Sequence, residues 1–292
     1  MGDRSATAPA EPGPLAILAG GGAFPRLVAE TVRAEGGEVI VAAIRGEADA
    51  SLEAFPHRWV GRGQLGAVLR LFSDAGASRL VIVGGIRERR LPRLSEIDLG
   101  ALWVLLTHLR ILRHGDDGLL RRIARIFEAR GLTIVGAAEI APGLLAPEGP
   151  LGARRPDPQA LDDIAVGVTA ARDLGARDLG QGVIVVDGRI AAEEGRAGTD
   201  ALLAAHAAGR DPKAPRRGVL VKCAKPQQDL RLDMPAIGPA TIEAAARAGL
   251  AGIAVEAGAT LVADRAALAA AADAAGLFVY GVTGGRSGEG AR

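Results

Sequence analysis

Short aliphatic runs alternate with stretches whose apolar positions recur every three to four residues, a pattern that predicts successive strand–helix–strand units. Leu15-Ala16-Ile17-Leu18-Ala19 reads as a first strand, a helix begins near Phe24, and residues 38–44 read as a second strand. Across residues 64–75, Leu65, Val68, Leu69 and Phe72 share one helical face. Leu80-Val81-Ile82-Val83, running into Gly84-Gly85, has the unbroken apolar character of a strand buried on both sides. Helical stretches at 99–112 and 118–129 precede a strand at 132–136. The fold class expected of residues 15–140 is α/β, a Rossmann-like, doubly wound and mostly parallel sheet.

The composition changes at residues 141–158, where Pro142, Pro147, Pro150, Pro156 and Pro158 withhold backbone donors, so this stretch is read as a Pro/Gly-rich linker. Residues 159–283 then read as a mixed α+β catalytic domain. A helix at 159–174 leads to strands at 183–187 and 189–192, joined through Asp187-Gly188, a dipeptide with tight-hairpin chemistry. A helix is expected at 199–209, and strands at 218–222, 252–256 and 277–282 are separated by Ala-rich helices. Residues 1–14 and 284–292 read as a disordered leader and a flexible tail.

Charge narrows the functional classes. With 35 Lys and Arg against 34 Asp and Glu, the formal net charge of +1 supplies no field for nucleic acid, and 3% aromatic residues supply no stacking platform. Cys223 is the one cysteine, which rules out an internal disulfide and a thiolate zinc cluster and suits a reducing, cytoplasmic compartment. No apolar stretch is long enough to cross a bilayer, because Glu139, Glu256 and Asp264 interrupt the candidates.

Gly20-Gly21-Gly22-Ala23-Phe24-Pro25 joins the first strand to the first helix, where backbone amides and a helix dipole can hold a phosphate, or where glycine merely permits a tight turn. The dinucleotide fingerprint lacks its third glycine at Pro25 and has Arg45 where an acid is expected, which disfavours NAD. Glu193, Glu194 and Asp200 cluster about Gly198-Thr199, although Thr199 or Asp200 could simply cap the helix there. Lys222, Lys225, Asp229, Arg231 and Asp233 crowd one irregular loop. Asp116 and Asp117 start a helix and complement its dipole. The four histidines lack ligand spacing, so oxygen-ligated Mg²⁺ suits these acids better than zinc.

Several ordered segments together resemble the LpxI-type UDP-2,3-diacylglucosamine diphosphatases of lipid A biosynthesis. They are Ala19-Gly20-Gly21-Gly22 with Pro25, Gly115-Asp116-Asp117 with Leu119-Leu120-Arg121-Arg122, and Asp178-Leu179-Gly180-Gln181-Gly182. The likeness continues through Glu194 with Gly198-Thr199-Asp200, Lys222 with Lys225-Pro226, Arg231-Leu232-Asp233 with Pro235 and Ile237-Gly238, and Ala246-Arg247-Ala248-Gly249-Leu250-Ala251-Gly252-Ile253. The resemblance implies Mg²⁺-dependent attack of water on the α-phosphorus, giving UMP and 2,3-diacylglucosamine 1-phosphate, with Asp233 as the catalytic residue. Asp233, Glu194 and Asp200 are then the expected metal contacts, and Lys222 and Lys225 a cationic clamp. Gly20, Gly21, Gly22, Asp116, Asp117, Gln181 and Thr199 are assigned to the substrate. Leu144, Leu145 and the helix near Trp103 are candidate linings for the acyl chains. The loop Ile86-Arg87-Glu88-Arg89-Arg90 is more basic than the family pattern. A homodimer and peripheral contact with the inner membrane are compatible with this reading. The rival readings are a Rossmann-type nucleotide-sugar oxidoreductase or transferase and a regulatory nucleotide-sugar-binding module, which would need no metal.

Overall fold

The computed structural model describes residues 13–86, 96–98, 100, 116–211 and 213–284. The expectations for the leader through residue 12, the basic loop from Arg87, the helix near Trp103 and the tail from residue 285 lie outside them. The chain divides into two compact units between Ala141 and Pro142. Both are mixed α/β.

In the first unit, strands β1 (Leu15–Ala19), β2 (Val39–Ile44), β3 (His57–Val60), β4 (Arg79–Val83) and β5 (Thr133–Ile134) form a five-stranded sheet in the order β3-β2-β1-β4-β5. All its pairings are parallel. Parallel neighbours need crossovers. Helices α1 (Phe24–Ala34), α2 (Leu65–Asp74) and α3 (Asp116–Glu128) follow β1, β3 and β4, and a single turn α4 (Ala137–Ile140) follows β5. β1 sits centrally because Leu15, Ala16, Ile17 and Ala19 can be buried from both sides, and α1 turns Val28, Ala29 and Val32 inward. The chain runs from β1 to β2 in one direction and from β4 to β5 in the other, so the sequence order reverses between β1 and β4.

The second unit has a six-stranded mixed sheet, β6-β13-β11-β9-β7-β8. Its strands are β6 (Gly149–Pro150), β7 (Gly182–Val186), β8 (Arg189–Glu193), β9 (Val219–Lys222), β11 (Gly252–Glu256) and β13 (Phe278–Val282); β10 (Ala236–Ile237) and β12 (Leu261–Val262) form a separate parallel pair. β9, β11 and β13 run parallel, whereas β7 runs antiparallel to β9 and β8 antiparallel to β7. Asp187 and Gly188, both at positive φ, make the predicted hairpin turn. Helix α5 (Pro158–Ala176), capped by the Asp157 carboxylate on the Ala160 amide, covers one face through Ile164, Ala171 and Leu174. The other face carries a core of Leu203, Leu220, Ile242, Ile253, Leu268 and Val279, contributed in part by helices α6 (Thr199–Ala208), α7 (Pro239–Arg247) and α8 (Arg265–Ala275).

The proline-rich stretch is not a free connection. Pro142–Leu144 forms a 3₁₀ turn, β6 pairs with β13, and Ala146 exchanges backbone hydrogen bonds with Thr260 and Gly258. Pro150 is tolerated because β6 lies at the sheet edge, where a missing donor breaks no inner ladder.

Candidate active site

The site grows from the reversal of strand direction at β9 and β7. Where β9 ends at Lys222, antiparallel β7 begins at Gly182, so these two residues are register partners. Glu194 follows β8 directly and continues the ladder, its amide donating to the Gly182 carbonyl at 2.8 Å. The Glu194 side chain is buried because residues 180 and 182 are glycines. A Cβ at Gly182 would lie 2.6 Å from Glu194 Oε2, and one at Gly180 would lie 2.3 Å from the Glu194 carbonyl oxygen. The two glycines of the Gly180-Gln181-Gly182 segment therefore leave the room that Glu194 fills.

Helix α6 starts beside it. The N-cap is Gly198 at φ 85°, with no side-chain cap. Thr199 and Asp200 are thus not caps. Thr199 Oγ1 donates to Glu194 Oε2 at 3.2 Å, and Asp200 sits exposed in the first turn.

Lys222 is 5% exposed, and its Nζ donates to the Ala236 carbonyl at 3.3 Å. Burial pushes its ammonium below the ordinary lysine range, while Glu194, Asp200 and Asp233 each pull it back up. Those three attractions define the group: a buried cation with Glu194 beside it in the interior and the exposed Asp200 and Asp233 toward solvent. Asp233 stands in the irregular β9–β10 connection, held by its amide to the Asp229 carbonyl and by Gln228 Nε2 to its Oδ2 at 2.7 Å. Sequence reasoning passed over Gln228. Only its position inside the Lys225–Asp233 loop pointed to it.

The other expected residues are placed differently. Lys225 Nζ pairs with Asp178 Oδ1 at 2.7 Å, near the end of α5. The Gln181 carbonyl accepts from the Cys223 amide, and its side-chain Oε1 is buried without a hydrogen-bond partner among the described residues. In the first unit, the Gly20 amide donates to Val83 and that of Gly21 to Gly85, which returns its own amide to the Gly21 carbonyl. Two of the three expected phosphate-cradling amides therefore tie the β1 turn to the β4 turn. Gly20 packs so tightly there that a Cβ would lie 2.5 Å from the Gly84 carbonyl oxygen. Asp116 and Asp117 open α3, but their side chains lie outside the described residues. Leu144 belongs to the 3₁₀ turn, and Leu145 makes an isolated bridge with Leu261.

For a metal, the carboxylates supply hard oxygen donors. Among the described residues no three His, Cys, Asp or Glu side chains gather around one point in the manner of a closed protein cage. Mg²⁺ ordinarily takes only one or two carboxylates, with water and substrate phosphate completing its shell.

Fold and site together define a two-unit mixed α/β protein whose charged chemistry, a buried lysine among three acids, lies in the second unit. Residues 14–144 match the LpxI N-terminal domain and residues 147–280 the LpxI C-terminal domain. Over 272 residues, 92% of this chain and 97% of the relative, the sequence is 42% identical to the UDP-2,3-diacylglucosamine pyrophosphatase LpxI of Caulobacter vibrioides. The chain belongs to the LpxI family.

Proposed function

We propose that this protein hydrolyses UDP-2,3-diacylglucosamine with Mg²⁺, at the α-phosphorus, to UMP and 2,3-diacylglucosamine 1-phosphate in lipid A biosynthesis. The observation that carries the reading is the buried Lys222 at the end of β9, opposite Gly182 and with Glu194 laddered beside it, in a chain of this family. A diphosphate repels an incoming nucleophile, so its hydrolysis needs positive charge against the phosphoryl oxygens and a fixed base beside the water.

Lys222 supplies the charge. Its Nζ donates to the Ala236 carbonyl, and Glu194, Asp200 and Asp233 each work against the downward push that burial exerts on its ammonium. Asp233 is exposed, as a group that meets substrate and water must be. It orients a water toward the α-phosphorus and accepts its proton as the new P–O bond forms; the bond to the bridging oxygen breaks, and the leaving sugar phosphate takes that oxygen with its electron pair. Glu194, steadied by Thr199, sets the charge of the floor. Asp233 with Glu194 or Asp200 would hold Mg²⁺, which would supply further positive charge against the diphosphate. Lys225, on the same loop and paired with Asp178, is a second cation for the substrate, and Gln181, whose Oε1 has no hydrogen-bond partner among the described residues, is a polar contact for it.

We also read the all-parallel 3-2-1-4-5 order of the first sheet as Rossmann-like and doubly wound, with the paired glycine turns of β1 and β4 at its switch point as the nucleotide end. Among the described residues no helix is long and apolar enough to cross a membrane.

The test follows UMP release from the purified chain given UDP-2,3-diacylglucosamine and Mg²⁺. Release should fall by at least about 100-fold in Asp233→Ala, since removal of a single catalytic group commonly costs that much or more, and should stop on chelation with EDTA. Folded protein that releases no UMP with any divalent metal would overturn the proposal.

A further inference from the structure

The loop that carries Asp233 is riveted at its base and open at its far end. Its first residues are tied to two different elements. The Ala224 amide donates to Glu256 Oε2 at the end of β11 at 3.0 Å, and Gln227 Nε2 donates to the Gly175 carbonyl of α5 at 2.8 Å. Lys225 is fixed to Asp178 beyond that helix. Asp233 lies several residues further on, in chain without regular structure, and is exposed.

Gln228 joins the two ends. It is 7% exposed, and both halves of its amide are used. Oε1 accepts from the Lys225 amide at 3.1 Å, while Nε2 donates to Asp233 Oδ2 at 2.7 Å. The orientation is forced by chemistry, because a backbone N–H needs the oxygen and a carboxylate needs the NH₂. The Gln228 amide also donates to the Lys225 carbonyl at 3.1 Å, so Lys225 and Gln228 close on each other before the side chain reaches Asp233. A glutamine has three freely turning side-chain bonds in solution; here two hydrogen bonds and burial hold them.

We infer that Gln228 is a positioning residue: it passes the rigidity of the loop base to Asp233 and fixes the direction of the carboxylate. The inference rests on the reading of Asp233 as the catalytic residue. A glutamine suits the task better than a cation would. It holds the carboxylate by a short hydrogen bond to the ionised oxygen without adding positive charge that would compete with Lys222. Gln228 is buried behind Asp233 and acts through it.

Two variants of the full chain separate the bond from the packing. Gln228→Leu keeps the volume and removes both hydrogen bonds. Gln228→Glu keeps an acceptor for the Lys225 amide, removes the donor to Asp233 and sets a second carboxylate against it. Both should lower kcat for UMP release by about 10- to 100-fold, the scale of an ångström of misplacement at a reacting group. KM and the calorimetric Kd for UDP-2,3-diacylglucosamine should stay within about twofold, and the melting temperature of Gln228→Leu within a few degrees. A merely structural role would instead move KM, Kd and melting temperature together. Wild-type kcat in either variant, or a loss matched by weakened substrate binding, overturns the inference while wild type stays active and Asp233→Ala stays inactive. An inactive wild type, or an active Asp233→Ala, overturns the underlying reading and the inference with it.

Discussion

Because Gly180 and Gly182 carry no Cβ, the Glu194 segment can lie directly against them, and one acid gains a buried place beside Lys222. A methyl group at 182 would meet Glu194 Oε2 at 2.6 Å, a distance no real Cβ keeps, and would also touch Lys222 Cγ at 3.6 Å. Gly182→Ala should therefore displace the Glu194 carboxylate and lower kcat by about 10-fold or more, the scale at which misplaced catalytic groups act. Steady-state UMP release, read beside a melting curve, checks it. Unchanged kcat with Ala at 182 would mean that Glu194 has no part in the chemistry. Lys222, Glu194, Asp200 and Asp233 were picked out in the sequence only by the resemblance to the LpxI-type diphosphatases, since their types and placement alone left a helix cap and a solvated charged loop equally open. Their common focus was not, because the acids come from a strand end, a helix start and a loop that only the folded sheet brings to one lysine. The hydrogen bond from Gln228 was equally hidden, since a glutamine in a charged loop carries no pattern of its own. The glycine turn after β1 was legible as a turn, but reciprocal pairing with Gly85 depends on a strand some sixty residues later.

At the scale of elements, helix α5 sets how closely the second core can pack. Gly167 faces the sheet, and a Cβ there would lie 2.4 Å from Val221 Cγ2 and 3.2 Å from Val185 Cγ2. The helix therefore approaches β9 and β7 more closely than any larger residue at 167 allows. Gly167→Ala gains helix propensity but overpacks this contact, and we expect a net loss of about 1–3 kcal/mol in urea denaturation. An unchanged or raised midpoint would show that α5 can lift off the sheet at little cost. Long periodic or unbroken apolar segments were legible here: β1 and β11 have the predicted bounds, α1 starts at the expected Phe24, and α2, α5, α6 and β13 differ from theirs by a residue or two. β3 was not, because His57-Arg58-Trp59-Val60 has neither an apolar run nor clean alternation. β6, β10 and β12 are two residues each and have no periodicity to read. Pairing order is likewise invisible in local pattern, so the insertion of antiparallel β7 and β8 beside β9 came only from the structure.

At the scale of the molecule, each unit has its own sheet and its own buried residues. The second unit begins at Pro142, and its first residues complete the sheet through β6 and bury Ala146. A fragment of residues 142–284 should therefore melt cooperatively on its own. A fragment of residues 159–284 lacks β6 and the Ala146 hydrogen bonds and exposes the β13 edge. It should melt at least about 5 °C lower and associate in solution, because an uncovered edge strand is a template for pairing. Calorimetry and sedimentation of the two fragments decide this. Equal melting temperatures and two monomers would return residues 142–158 to the role of a plain connection. The charged group has a further consequence. Glu194, Asp200, Lys222 and Asp233 fall within one continuous stretch of some forty residues, wholly on one side of the division after Ala141. A gene break or fusion at that division would pass the whole group on undivided, so the first unit could be traded in evolution without rebuilding the centre.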